Sequence, residues 1–172
     1  LKSVSRQRHT LMIDYKKDLA QQVRIALDED IGDGDITAAV IPAQNTASAT
    51  VICRETATIC GQDWFNAAFL QLDPATRIEW TIKDGAAVQP GQTLCTIEGN
   101  ARVLLTAERT ALNFLQTLSA TATKARKYAK SVEDLKTQVL YTRKTLPGLR
   151  MAQKYAVHCG GCSNHRIGLY DA

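Results

Sequence analysis

Residues from Arg102 to about Lys130 carry the longest helical pattern in the chain, and everything else must be arranged around it. Leu104, Ala111, Leu115, Leu118, Ala122 and Ala125 recur at helical spacing and form one apolar stripe. Small residues are frequent along it, which predicts a second helix packed close by.

The flanking segments read as a mixture of helix and strand. Asp14 to Asp30 predicts a helix with Leu19, Val23, Ala26 and Leu27 on one face. "DIGDGDIT" ends it, with glycines that stop a helix and aspartates that suit turns. Ala49 to Glu55 and Thr56 to Gly61 predict neighbouring strands. "QDWFNAAFLQL" predicts a helix with Trp64, Ala67, Ala68 and Leu72 on one side. In "TRIEWTIK", Ile78, Trp80 and Ile82 alternate as in a strand. Turn signals at Asp84-Gly85 and Pro90-Gly91 precede a strand from Thr93 to Glu98. That hairpin resembles those of biotinyl and lipoyl carriers. Lys83, however, precedes its turn and lacks the flanks of a carrier lysine. After the long helix, "SVEDLKTQ" is turn-like and "TQVLYT" predicts a short buried strand.

Composition narrows the function classes. The chain has 172 residues, 45% hydrophobic and 22% charged, which is globular. A net charge of +4 with 6% aromatic residues does not make a nucleic-acid surface. No apolar run spans a bilayer, and the N-terminal stretch lacks a signal-type apolar core. Five cysteines without a small-scaffold spacing argue against a secreted disulfide framework, so the expected location is the cytoplasm.

The chemistry concentrates in "TRKTLPGLRMAQKYAVHCGGCSNHRIGLYDA". No Asp or Glu lies between Tyr141 and Tyr170, while Arg143, Lys144, Arg150, Lys154, His158, His165 and Arg166 all do. The short strand ends at Thr142-Arg143-Lys144. Pro147 and Gly148 form a loop, a helix runs from Leu149 to about Cys159, and Gly160-Gly161 stop it. Asn164-His165-Arg166 then follow, so this βα unit carries positive charge at both ends. Arginine forks match carboxylate and phosphate oxygens, lysine adds a point charge, and His165 a titratable donor. An anionic ligand is the expected partner. Arg150 and Lys154, at i and i+4, read as a solvated pair. "HCGGCSNH" raises a rival, with His158, Cys159, Cys162 and His165 as zinc ligands or the cysteines as a redox pair. All four fall within eight residues, whereas a structural zinc site takes a distant second pair, so no metal ligands are assigned here.

"ERTALNFLQTLSATAT", "TRKTLPGLR", "KYAVHCGG" and "NHRIGLYDA" resemble the quinolinate phosphoribosyltransferase family, and "EDIGDGDIT" and "GNARVLLTAERTALN" fit it too. The resemblance implies an α+β N-terminal domain of the α/β-hammerhead type over residues 1–117. The first part of an α/β barrel would follow over residues 118–172, with the barrel incomplete in this chain. It implies conversion of quinolinate and phosphoribosyl pyrophosphate to nicotinate mononucleotide, pyrophosphate and carbon dioxide, with Mg²⁺. Arg143, His165 and Arg166 would hold the carboxylates, Lys144 the phosphoribosyl or pyrophosphate oxygens, and Thr142 would donate beside them. Arg109 would complete the site of a partner subunit in a homodimer or higher homo-oligomer. The Mg²⁺ ligands and a further substrate lysine are expected beyond Ala172, so a piece ending there is expected to be inactive and prone to associate. The family commonly has glycine where Cys162 stands, so a crowded loop is expected if that position needs positive φ. A molybdenum-transport-associated homologue shares several of these motifs and is the alternative, ahead of a carrier or metal-binding module.

Overall fold

A computed structural model describes residues 14–170 of the chain. The stretch read above for a signal-type core falls mainly in residues 1–13 and lies outside the described residues, as do Asp171 and Ala172.

The core is built on the long helix. α1 (Lys16–Ile31), α2 (Ile36–Ala39), α3 (Gln62–Leu70) and α4 (Ala101–Ser131) are joined by five short strands, β1 (Thr46–Ile52), β2 (Ala57–Thr58), β3 (Arg77–Trp80), β4 (Ala87–Val88) and β5 (Thr93–Asn100). α4 starts where the Asn100 side chain accepts from the N–H groups of Arg102 and Val103, at 2.9 and 3.4 Å. All six stripe residues are buried. α1 buries Val23 and Leu27, with Leu19 and Ala26 packed partly beside them, as its spacing predicts. α3 buries Trp64 and Ala68 on the expected side but also Phe65 and Phe69, at 1% and 2% exposure. Burial of each large apolar side chain contributes about 1.5–3 kcal/mol.

β5 is the middle strand of an antiparallel sheet of order β1-β5-β3, and β2 pairs with β4. The predicted neighbours at 49–55 and 56–61 therefore do not pair with each other. After β1 the chain still holds the hairpin: Cys53 N–H donates to Gln92 O at 2.9 Å and Gly91 N–H to Cys53 O at 2.8 Å. It then crosses to the other arm, so that Ala57 meets Val88.

The closing segment forms β6 (Leu140–Tyr141), α5 (Arg150–Cys159) and β7 (Ser163–Asn164). β6 and β7 are parallel, and α5 is the crossover between them. The predicted buried strand is corrected here: β6 has only two residues and Leu140 is 52% exposed. A single short neighbour cannot cover both its faces. The close helix neighbour expected from the small residues of α4 is α5. A Cβ built on Gly160 would lie 2.5 Å from both Ala122 O and the Ala125 Cβ, nearer than real Cβ contacts come. Gly160 has φ −75°, so its backbone would accept alanine and only the packing objects. Gly160→Ala should lower stability by about 1–3 kcal/mol through this overpacking, read as a reduced urea midpoint with unchanged slope. Retained stability would mean the helices do not approach this closely.

Candidate anion-binding site

The parallel register pairs Leu140 with Ser163 and Tyr141 with Asn164. Thr142-Arg143-Lys144 and His165-Arg166 therefore leave two adjacent strand ends side by side. Their backbone is held from below. His165 N–H donates to Tyr141 O at 3.0 Å. Asn164 Nδ2 donates to Lys154 O at 2.8 Å. Leu146 N–H donates to Gln153 Oε1 at 2.7 Å, and Arg150 reaches Thr145 Oγ1 and Ile167 O, both at 3.3 Å. Gly148 turns the loop with φ +76°, a region glycine enters without penalty, and its carbonyl accepts from Gln22 Nε2 of α1 at 2.8 Å.

Of the sequence-predicted residues, Arg143 and Arg166 are half-buried, while Thr142, Lys144 and His165 are exposed. Thr142 Oγ1 accepts from Lys144 N–H at 3.3 Å, shaping the loop. Among the described residues no carboxylate forms an ion pair with Arg143, Lys144, His165 or Arg166. Arg143 Nε is buried with no hydrogen-bond partner. A buried unpaired N–H of a permanent cation is costly, and an anion's oxygen beside it would satisfy it.

Arg109 is not brought to this cluster. It stands exposed on α4, in an open groove of ≈ 1430 Å³ also lined by Arg54, Lys124 and Lys127. No residue of the closing segment lines that groove.

Two readings are corrected. Lys154 is fully buried rather than solvated. Its Nζ donates to His165 O at 3.0 Å and lies 5.9 Å from the Tyr141 ring centre, so it braces both strands. Sequence reasoning missed it because the i,i+4 spacing with Arg150 outweighed the one available signal, that Lys154 shares a face with Val157. Cys162 does not crowd the loop: among the described residues no non-glycine has positive φ. Its Sγ donates to Ala125 O at 3.2 Å, within a small cluster with Val157. The four residues of the zinc alternative, which the sequence did not favour, do not converge. His158 is exposed, Cys162 faces α4, and Cys159 faces Cys60 and Asp84 instead.

Fold and site define an α/β protein whose cationic residues follow two adjacent parallel strand ends, where ligands of such folds bind. Two family models match consecutively: the N-terminal domain of quinolinate phosphoribosyl transferase over residues 35–119 and its C-terminal domain over residues 121–172. The chain belongs to the quinolinate phosphoribosyltransferase family. It is 41% identical over 90% of its length to the chloroplastic nicotinate-nucleotide pyrophosphorylase [carboxylating] of Oryza sativa subsp. japonica, covering 42% of that protein. It is 42% identical over 94% of its length to the Mycobacterium leprae protein of the same name, covering 58% of it. A solved nicotinate-nucleotide pyrophosphorylase from Francisella tularensis superposes with TM-score 0.87 at 47% identity, over 91% of this chain and 56% of that one. The chain thus spans about half the length of the relatives it matches.

Lys154→Ala should cost about 2–4 kcal/mol, because it empties a buried volume and leaves a carbonyl unpaired. Chemical denaturation checks this, and an effect below about 0.5 kcal/mol, usual for a surface lysine, would refute the bracing role.

Proposed function

We propose that this chain forms part of an enzyme transferring a phosphoribosyl group from phosphoribosyl pyrophosphate to quinolinate with decarboxylation, giving nicotinate mononucleotide in NAD biosynthesis. The supporting observation is the pair of adjacent cationic strand ends, unpaired by any described carboxylate, in a chain of this family. The relatives' names are those of quinolinate phosphoribosyltransferases and carboxylating nicotinate-nucleotide pyrophosphorylases.

Quinolinate is a dianion. In this reading Arg143 and Arg166 grip its carboxylates as forks, and His165 donates beside them. Lys144 takes phosphoribosyl or pyrophosphate oxygens, and Thr142 donates next to it. Departure of pyrophosphate leaves an oxocarbenium-like centre at the sugar, so fixed positions and neutralisation of the leaving group carry most of the rate. The same cations stabilise the ring carbanion left when carbon dioxide departs.

Mg²⁺ requires hard oxygen ligands. The residues around these strand ends do not fit it, since no Asp or Glu lies between Tyr141 and Tyr170. The reading therefore assigns Mg²⁺ to carboxylates outside this stretch and routes no step through it. Arg109, remote from the cluster, is assigned to a partner subunit's site in a homodimer or larger homo-oligomer, which accords with its exposure on the grooved face. The reading also takes residues 1–117 as a hammerhead-type domain and 118–172 as the start of a barrel. α4 crosses that division as one unbroken helix. No helix among the described residues is long and apolar enough to cross a membrane. The cytoplasmic part of the reading rests on the sequence, whose five cysteines lack a small-scaffold spacing.

Incubating the whole enzyme with quinolinate, phosphoribosyl pyrophosphate and Mg²⁺ should release carbon dioxide and nicotinate mononucleotide; no turnover would sink the proposal and favour the molybdenum-associated homologue. Arg143→Ala or Arg166→Ala should weaken quinolinate binding by about 2–4 kcal/mol, measured by calorimetry, and wild-type affinity in either would overturn the assignment. Inactive Arg109→Ala and inactive Arg166→Ala subunits should partly restore activity when mixed. Activity that stays absent in verified mixed dimers would place Arg109 elsewhere.

A further inference from the structure

A second cluster lies away from the cationic strand ends, where the loop before α3, the turn before β4 and the end of α5 meet. Cys60, Asp84 and Cys159 each offer one ligand atom, and these atoms lie within 4.8 Å of one another. A tetrahedral zinc site with metal–sulfur bonds of about 2.3 Å places its ligand atoms roughly 3.8 Å apart, within reach of this spacing. Cys60 is fully buried, whereas Cys159 and Asp84 are only half-buried, so the cluster opens to solvent on one side.

The carboxylate is already oriented. Asp84 Oδ1 accepts from the N–H groups of Gly61 and Gln62 at 3.1 and 3.3 Å, and Oδ2 accepts from Tyr155 Oη at 3.0 Å. Donors of this kind hold the ligating carboxylates of metal sites in place. The charges around it are unbalanced. Burial raises the Asp84 pKa, and the negative charge of Asp63 adds to the effect. No lysine, arginine or histidine among the described residues forms an ion pair with Asp84, and Lys16 lies instead 4.0 Å from Asp63. A carboxylate without an ion pair beside two thiols is a ligand set that a thiophilic dication would take, displacing the thiol protons.

We propose that Cys60, Asp84 and Cys159 form a binding site for a thiophilic divalent cation of the Zn²⁺ type, with its fourth position open to water. Binding forms two metal–sulfur bonds and one metal–oxygen bond. The two thiol protons leave to solvent, and nothing is oxidised or reduced. The bound ion would tie the loop before α3 to the end of α5, linking the early half of the chain to the βα unit that carries the cationic strand ends.

Co²⁺ serves as the spectroscopic probe. Added to reduced, chelator-treated protein, one equivalent should produce the near-ultraviolet thiolate-to-metal band and visible bands of a tetrahedral site, and Zn²⁺ should bleach both. Zn²⁺ should also raise the thermal midpoint of the wild-type protein. Cys159→Ser, at a half-exposed position, should weaken Zn²⁺ binding at least ~10-fold against a chromophoric chelator, and Asp84→Asn should weaken it too. Cys162→Ser should bind as the wild type does. The proposal falls if the wild-type protein shows no thiolate band, if Cys159→Ser keeps it, or if only Cys162→Ser loses it. It falls equally if reduced protein takes up no metal while air oxidation joins Cys60 to Cys159, seen by mass as the loss of two hydrogens.

Discussion

Gly160 sits against the Ala122–Ala125 turn of α4 with no room for a side chain, and the rest of the molecule hangs on that approach. α4 faces both halves of the fold along its length, while α1 and α3 reach the closing segment through Gln22 on the Gly148 carbonyl and Trp64 beside Tyr155. Along one side it takes α3 and the early strands, through Leu104, Ala111, Leu115 and Leu118. At its far end Ala122 and Ala125 are small enough for α5 to lie against its backbone. A bulky residue at any of these positions would push α5 outward, and β6 and β7 would move with it. The cationic strand ends are thus located by the absence of side-chain atoms some distance away.

That location matters because the strand ends are electrostatically expensive. Arg143, Lys144, His165 and Arg166 follow two adjacent strand ends, and none forms an ion pair with a described carboxylate. Repulsion between such groups is tolerable where they are partly solvated, as Lys144 and His165 are, or where an anion arrives. The framework beneath them offsets the cost with neutral contacts: Lys154 on a carbonyl, Asn164 on another, and Gln153 on a loop N–H. None of these supports neutralises the arginines, so the charge stays available to a ligand.

The Cys60–Asp84–Cys159 cluster presents the opposite case, a carboxylate with no ion pair among the described residues. It sits at the seam that Gly160 closes, one residue beyond Cys159. The same close packing of α5 on α4 that places the cationic strand ends also carries Cys159 to Cys60.

The sequence by itself determined the elements whose signals are local. Apolar periodicity specified α1, α3 and α4, the glycine pair specified where α5 stops, and the run without acids specified which stretch concentrates positive charge. These depend on side chains a turn or two apart. Tertiary structure decided what depends on distant partners. β1 chose β5 rather than β2 because strand pairing is satisfied across the chain, not along it. Lys154 turned inward because His165 and Tyr141, from two different strands, supplied an acceptor and a ring. Cys159 found Cys60, ninety-nine positions earlier, rather than Cys162 three positions later, because a helix end points its side chains by packing and not by spacing in the sequence.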